Sequence, residues 1–394
     1  MVEAKAQVLI LDKRAVMATE VCRALAAQGC EADIFACAGS PAFRSRSCHE
    51  QLLAPPFDNA RLYREALGAA VRGKPYDAIF VCHEEVLARL LPLRRNRSWR
   101  GLLLPPPASL KIALSKNAAL SLALWAGVAT PRTAIPADDD DLSPVARELG
   151  WPVVAKSDVG ESGEGVRIIR REEDLAAQYR ELMRGQARAR SRPALQEFIR
   201  GSAFSVGGLF LNGRPLRVVA HRKLLRYPHP WGGLTVKGVT EDCPELLREA
   251  FKVFEAIEYT GLGHVEFIRD ERDGRFKFLE INPRLWGTIG VARLAGVDLF
   301  TPYRQLVKGI EVEPDLRYRV GVRFHRILRE VRLMRQRPWR VAGFVKDVLD
   351  PRVRSDFAWS DPGPHLPSLY RLRRLLWPGN QRPAPMLSLG GQPD

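Results

Sequence analysis

Cysteine is scarce in this chain and forms no paired motif. The six residues (Cys22, Cys30, Cys37, Cys48, Cys82 and Cys243) include no C-x-x-C, and five fall in the first quarter of the 394 residues. That pattern argues against a disulfide frame or a zinc site and for free or buried thiols in a reducing compartment. Long apolar runs are missing too. Nothing approaches the roughly 18 residues of a membrane span, and the opening MVEAKAQVLILD has no apolar stretch followed by a small-residue cleavage site, so a cytoplasmic protein is the expectation. No G-x-G-x-x-G follows the first strand and no G-K-[ST] opens a helix, which removes the dinucleotide fingerprint and the Walker loop. Acidic residues are outnumbered, 45 against 61 lysines and arginines, for a formal charge of +16. A polyanion, an anionic membrane or phosphorylated and carboxylated substrates are the partners such a charge favours. Widely spread arginine is also what a GC-rich genome supplies.

What is present is ordinary for a soluble globular protein, with 46% hydrophobic and 27% charged residues. The length suits two or three packed subdomains. Gln7 to Leu11, Ala32 to Ala36 and Ala78 to Cys82 read as buried strands, with helices over Met17 to Gln28 and Arg61 to Val71 between them. This alternation predicts an open α/β domain whose ligands lie near the carboxyl ends of its strands. His83, Glu84 and Glu85 stand at such an end, where a solvated helix start explains them equally well. Pro105 to Pro107 marks a linker, and a single helix is expected from Ser109 to Trp125, carrying Lys116.

The richest stretch is GHVEFIRDERDGRFKFLEINPRLWG, from Gly263 to Gly287. Two alternating runs flank Asp273-Gly274, so a β-hairpin is expected. A three-residue loop, Arg272 to Gly274, would set Glu266 opposite Glu280 and His264 opposite Asn282, with Val265, Phe267, Leu279 and Ile281 on the other face. Opposed carboxylates repel, and a bound Mg²⁺ or Mn²⁺ would relieve them. A half-exposed hairpin with solvated acids is the plain alternative. Pro283 ends the pairing and presents Asn282 and Arg284 at the mouth of a site.

Upstream, WPVVAK is a short strand ending in Lys156, followed by a loop with Gly160, Gly163 and Gly165. Its backbone N–H groups suit phosphates, and the lysine supplies a point charge. A ligand-free hairpin tip accounts for the same residues. Leu195 to Ile199 then forms a strand edge in Q-E-F-I-x-G, where backbone groups alone can read a purine.

The order of strand-lysine, glycine-rich loop, Q-E-F-I-x-G and E-x13-E-I-N-P-R resembles the ATP-grasp superfamily, most of all its carboxylate-amine and carbamoyl-phosphate-synthetase-like ligases. The resemblance runs roughly from residue 7 to 310. It implies α/β and α+β architecture: a Rossmann-like pre-ATP-grasp domain (1–108), a two-lobed ATP-grasp domain (109–310) with a mobile lobe near 128–195, and a basic, partly helical C-terminal extension (311–394). It implies ATP binding by Lys116, Lys156, Gly160, Ser162, Gly163 and Gly165, with Glu197, Phe198 and Ile199 at the adenine. Glu266, Glu280 and Asn282 match the magnesium ligands, and Arg284 the residue that meets charge on the transferred phosphoryl group. Arg222 and Lys223, in the basic loop AHRKLLRYPHPWGGLTV beside His221 and Arg226, correspond to the substrate side. Ser115 stands where the family often has an acid, Ala203 where some members bind ribose, and Glu161 and Glu164 sit inside the phosphate loop.

The implied activity is ATP- and Mg-dependent activation of a carboxylate as an acyl phosphate, followed by attack of an amine. A non-catalytic nucleotide-binding scaffold contacting RNA or anionic membrane is the competing reading. A homodimer and small-molecule substrates are expected, without specific nucleic acid. From Val320, arginines alternate with Phe324, Ile327, Leu328 and Val331 at helical spacing. Such a helix packs its apolar stripe on the body, lies on an anionic membrane or contacts RNA, packing being the most frequent outcome. The last residues, QRPAPMLSLGGQPD, read as disordered.

Overall fold

Strands form where the short apolar runs stand. The computed structural model describes residues 5–13, 17–90, 101–160, 163, 165–184, 191–229, 232–334 and 336–366; Ser162, Glu161, Glu164 and the C-terminal run lie outside them. β1 (Gln7–Leu11), β2 (Glu31–Cys37), β3 (Cys48–Ala54) and β4 (Ala78–Val81) form a parallel sheet in the order β3-β2-β1-β4. β3 was not legible because CHEQLLA is a mostly exposed edge with no apolar run. The helices Met17–Ala27 and Ala60–Gly73 fall close to expectation, the second capped by Asn59 through Leu62 N.

The expected helix from Ser109 to Trp125 is instead two helices, Pro107–Leu114 and Lys116–Trp125. Ser115 is extended between them (φ −108°, ψ 117°), and its hydroxyl accepts from Ala118 N. A serine whose side chain replaces a backbone acceptor favours a cap over a helix interior. Lys116 is thereby placed in a first turn, where its side chain is aimed by the cap.

β5 (Thr133–Ala134), β6 (Val153–Lys156), β7 (Val166–Ile169) and β8 (Ala194–Glu197) make a small antiparallel sheet in the order β5-β8-β6-β7. Helices Leu142–Leu149 and Glu172–Arg184 cover it, burying Leu142, Leu149, Leu175, Tyr179 and Leu182 against Val153, Ala155 and Leu195. The strand expected to reach Ile199 stops at Glu197.

The large sheet holds β9 (Gly201–Leu211), β10 (Arg214–His229), β11 (Gly232–Thr240), β12 (Gly261–Asp270), β13 (Phe276–Asn282), β14 (Arg323–His325) and β15 (Val353–Ser355), in the order β13-β12-β9-β10-β11-β14-β15. Glu266 pairs with Glu280 and His264 with Asn282, as the hairpin reading requires. The route to that register differs. Asp270 N bonds Arg275 O and Gly274 (φ 71°) bonds back to Asp270, so the reversal is one residue longer than expected. A bulge opposite Glu266 and Phe267 absorbs the extra residue. Because of it, Phe278 replaces Leu279 in the core beside Val265, Phe267 and Ile281, and Leu279 turns to the opposite, ligand-accessible face.

The segment after residue 310 belongs to the same sheet through β14 and β15. Phe324 is in a strand, and the helix begins only at Ile327 (Ile327–Met334). Its most buried side chains are Leu333 and Glu330. The acid forms an ion pair with Lys237 at 2.7 Å and lies 2.6 Å from His325 Nε2, which is why a charged position can face inward. Among the described residues no helix is long and apolar enough to cross a membrane.

Candidate functional site

The small and large sheets face each other across a cleft of about 290 Å³. Strand alternation brings Glu266, Glu280 and Asn282 to it from β12 and β13, with Arg284 just beyond. From the opposite side come Lys156 at the end of β6 and the loop positions Gly160, Gly163 and Gly165; Lys116 enters from its helix start. Lys223 joins them from β10.

The loop is tied to the helix start below it. Asp158 accepts from Ser115 Oγ (2.7 Å), Asn117 N (3.0 Å) and Ser191 Oγ (3.0 Å), and Lys116 Nζ donates to Gly160 O at 2.6 Å. Ser115, unusual beside the family pattern, is thus a partner of the loop as well as a cap. Lys116 Nζ also lies 3.9 Å from Glu280 Oε2. Lys156 is sunk deeply enough that burial pushes its ammonium down to about 8, with Glu280 pulling up and Lys116 pushing further down.

Glu266 accepts from Lys223 Nζ at 2.5 Å and faces His264 Nε2 at 3.4 Å. Burial would raise its carboxyl, but the Lys223 ammonium and His264 hold it well below the usual carboxylate range. Burial also lowers His264, and with Lys223 close by it takes His221 down to about 3, so both rings are neutral at ordinary pH. Asn282 Nδ2 lies 3.3 Å from Glu280 Oε1, and its Oδ1 accepts from Arg284 Nη2 at 3.0 Å. Behind Arg284 stands the buried Glu84, 3.5 Å from Nε, so the start of the helix Glu84–Leu90 that follows β4 steadies this guanidinium.

Two carboxylates and an amide oxygen are an all-oxygen donor set suited to a hard divalent cation. No group of three His, Cys, Asp or Glu ligands forms among the described residues, so phosphate or water oxygens would complete a shell. Two lysines, a glycine loop and that donor set can together hold a polyphosphate.

Several expected residues lie elsewhere. Arg222 is not among the residues lining the cleft: neighbours on a strand point oppositely, and while Lys223 enters the cleft, Arg222 Nε pairs with Glu241 at 2.5 Å. Glu197, Phe198 and Ile199 sit at the end of β8 outside the cleft lining, with the Glu197 carboxylate held by Arg132 (3.4 Å) and Arg272 (3.2 Å). Sequence reasoning missed Ser205, Thr288, Arg326 and Arg329, all of which line the cleft. The arginines carried a signal only as part of a basic stripe, which does not say where the stripe returns.

Residues 126–288 match the family model of the ATP-grasp domain. Biotin carboxylase 1 of Bacillus subtilis is 28% identical over 180 residues, 43% of this chain and 39% of that protein. The D-alanine–D-alanine ligase of Pseudomonas entomophila is 27% identical over 202 residues, 47% of this chain and 59% of that protein. The chain therefore spans well under two thirds of the length of these relatives. Among solved structures, the biotin carboxylase domain dimer of the Hydrogenobacter thermophilus 2-oxoglutarate carboxylase, in complex with MgADP, ADP and bicarbonate, superposes with a TM-score of 0.65 at 20% identity, over 82% of this chain and 74% of that one. The fold and the hairpin register agree with the match of residues 126–288 to the ATP-grasp domain.

Proposed function

We propose that the chain is an ATP-dependent ligase that activates a substrate carboxylate as an acyl phosphate and passes the acyl group to an amine or similar nucleophile, releasing ADP and phosphate. One observation carries the reading: Glu266 and Glu280, opposed across β12 and β13, share a cleft with Lys116, Lys156 and Arg284 beneath a glycine-rich loop. Lys116, Lys156 and the backbone of Gly160, Gly163 and Gly165 would hold the triphosphate. Glu266, Glu280 and Asn282 would hold Mg²⁺, which when bound neutralises phosphate charge. Arg284, braced by Glu84 and Asn282, faces the charge that develops on the transferred group. Lys223, paired with Glu266, sits on the acceptor side. No side chain is needed as a covalent nucleophile; positioning and electrostatics are the catalytic contribution.

The test is ADP release by purified protein with a panel of carboxylates and amines, wild type against Glu280→Gln. The variant should lose about two orders of magnitude or more. Unchanged release would remove the metal assignment. A homodimer belongs to the same reading, supported by the dimeric H. thermophilus neighbour. Peripheral contact of the C-terminal region with an anionic membrane is supported by Trp339, Val345 and Leu349, all exposed on or next to the helix Val341–Leu349 in a strongly basic chain.

A further inference from the structure

Besides the groups that would hold a nucleotide and its metal, the cleft is lined by three arginines from two separate parts of the chain. Arg226 comes from β10. Regular alternation would turn it away from Lys223, but the ladder is irregular on both sides of Leu225, so Lys223 and Arg226 both enter the cleft. Arg326 follows β14, its N–H bonded to Val236 O at 2.8 Å, and its Nη1 reaches to 3.5 Å from where a side chain on Gly287 would begin. Arg329 lies one turn on, presented by a helix whose next residue, Glu330, is anchored by Lys237 and His325.

Positive charge is in excess there. Three guanidiniums share few acids: Asp356, 3.4 Å from Arg326, also attracts Arg329 from further away, and Glu20 attracts Arg326. Among the described residues no acid stands within ion-pairing distance of Arg226 or Arg329, and the nearby Glu266 is already taken by Lys223. Both side chains are half-buried, and burial pushes both guanidiniums below the ordinary arginine range, Arg329 to about 9. Placing unpaired cations out of water is costly, and a protein keeps such an arrangement where an anion completes it. Guanidinium forks match carboxylate and phosphate oxygens in bidentate geometry.

From this geometry we infer that the substrate accepted beside Arg284 carries a further anionic group, a second carboxylate or a phosphate, seated between Arg226, Arg326 and Arg329. The inference rests on the ligase reading for the position of the first carboxylate. The second group makes no chemical change. It holds the acid so that its reacting carboxylate points toward Arg284 and the phosphates.

The experiment is calorimetric titration of the full chain, with and without saturating Mg²⁺ and a non-hydrolysable ATP analogue, using succinate, citrate and phosphoglycolate against propionate. At least one polyanionic acid should bind tenfold or more tightly than propionate. Arg329→Gln and Arg226→Gln should each weaken it tenfold or more, leaving melting temperature near wild type and analogue affinity within twofold. Arg329→Lys should recover only part, because the charge returns without the fork. Succinate against phosphoglycolate distinguishes carboxylate from phosphate as the second group. Equal or tighter propionate binding, absence of binding by every acid, or polyanion binding lost in Lys156→Gln but kept in Arg329→Gln would overturn the inference. Failure of the analogue to bind wild type overturns the ligase reading instead, and the titration without nucleotide still reads the arginine end.

Discussion

Lys156 shows how one side chain can be prepared for a ligand. Its strand ends at the cleft, and burial costs the ammonium more than Glu280 restores, so it titrates near 8 in the free protein. A polyphosphate would supply the missing charge and raise that value. Sign follows directly: below pH 8 the lysine is already charged and binding is strongest, while above 8 a proton must be taken up and affinity falls, by at most about tenfold per pH unit until the bound-state value is reached. Titrating a non-hydrolysable ATP analogue between pH 6.5 and 9.5 should show the decline in wild type. In Lys156→Gln affinity should be lower throughout, and this decline should be missing. Glu266 illustrates the converse. Its acid is held charged by Lys223 and His264, so it is ready to meet a cation without first losing a proton.

Among the elements, β9 is central and depends on what its glycines leave out. A Cβ on Gly207 would lie 2.4 Å from the ring of Trp286, and one on Gly208 2.2 Å from Arg217 O. Trp286 is buried and leans on His264, with ring centres 5.7 Å apart. Gly207→Ala would therefore displace the indole from its contact with His264, on the strand that carries Glu266. It should destabilise the fold by about 1–3 kcal/mol, read by denaturant unfolding. It should also weaken metal-supported nucleotide binding, whereas an unperturbed midpoint would show that the indole can yield. The β12–β13 hairpin makes a related point. Its register was legible from alternation around Asp273-Gly274, yet the turn is a residue longer and the bulge corrects it. Two offsetting departures left the carboxylates opposed, because burial of Val265, Phe267 and Ile281 on one face admits no slip.

The whole molecule adds a feature that neither sheet shows by itself. Beyond the cleft, the C-terminal segment leaves Trp339, Val341, Val345 and Leu349 exposed on and next to the helix Val341–Leu349. If this surface meets an anionic membrane, the full chain should sediment with phosphatidylserine-containing vesicles at low salt and release at higher salt. Trp339→Ser with Leu349→Ser should reduce capture severalfold at either salt. Equal capture of the double variant would leave charge alone as the cause. By itself the sequence determined the strand-lysine, the glycine loop and the opposed acids, since each depends on local period and turn chemistry. Tertiary structure decided that Lys223 rather than Arg222 faces the cleft, that Leu279 leaves the core, and that Arg326 and Arg329 return to the site after β14. The physical reason is range. Period-two alternation is written into neighbouring residues, but a bulge is stabilised by what packs on either side of it, and a returning segment by strands that lie far away along the chain.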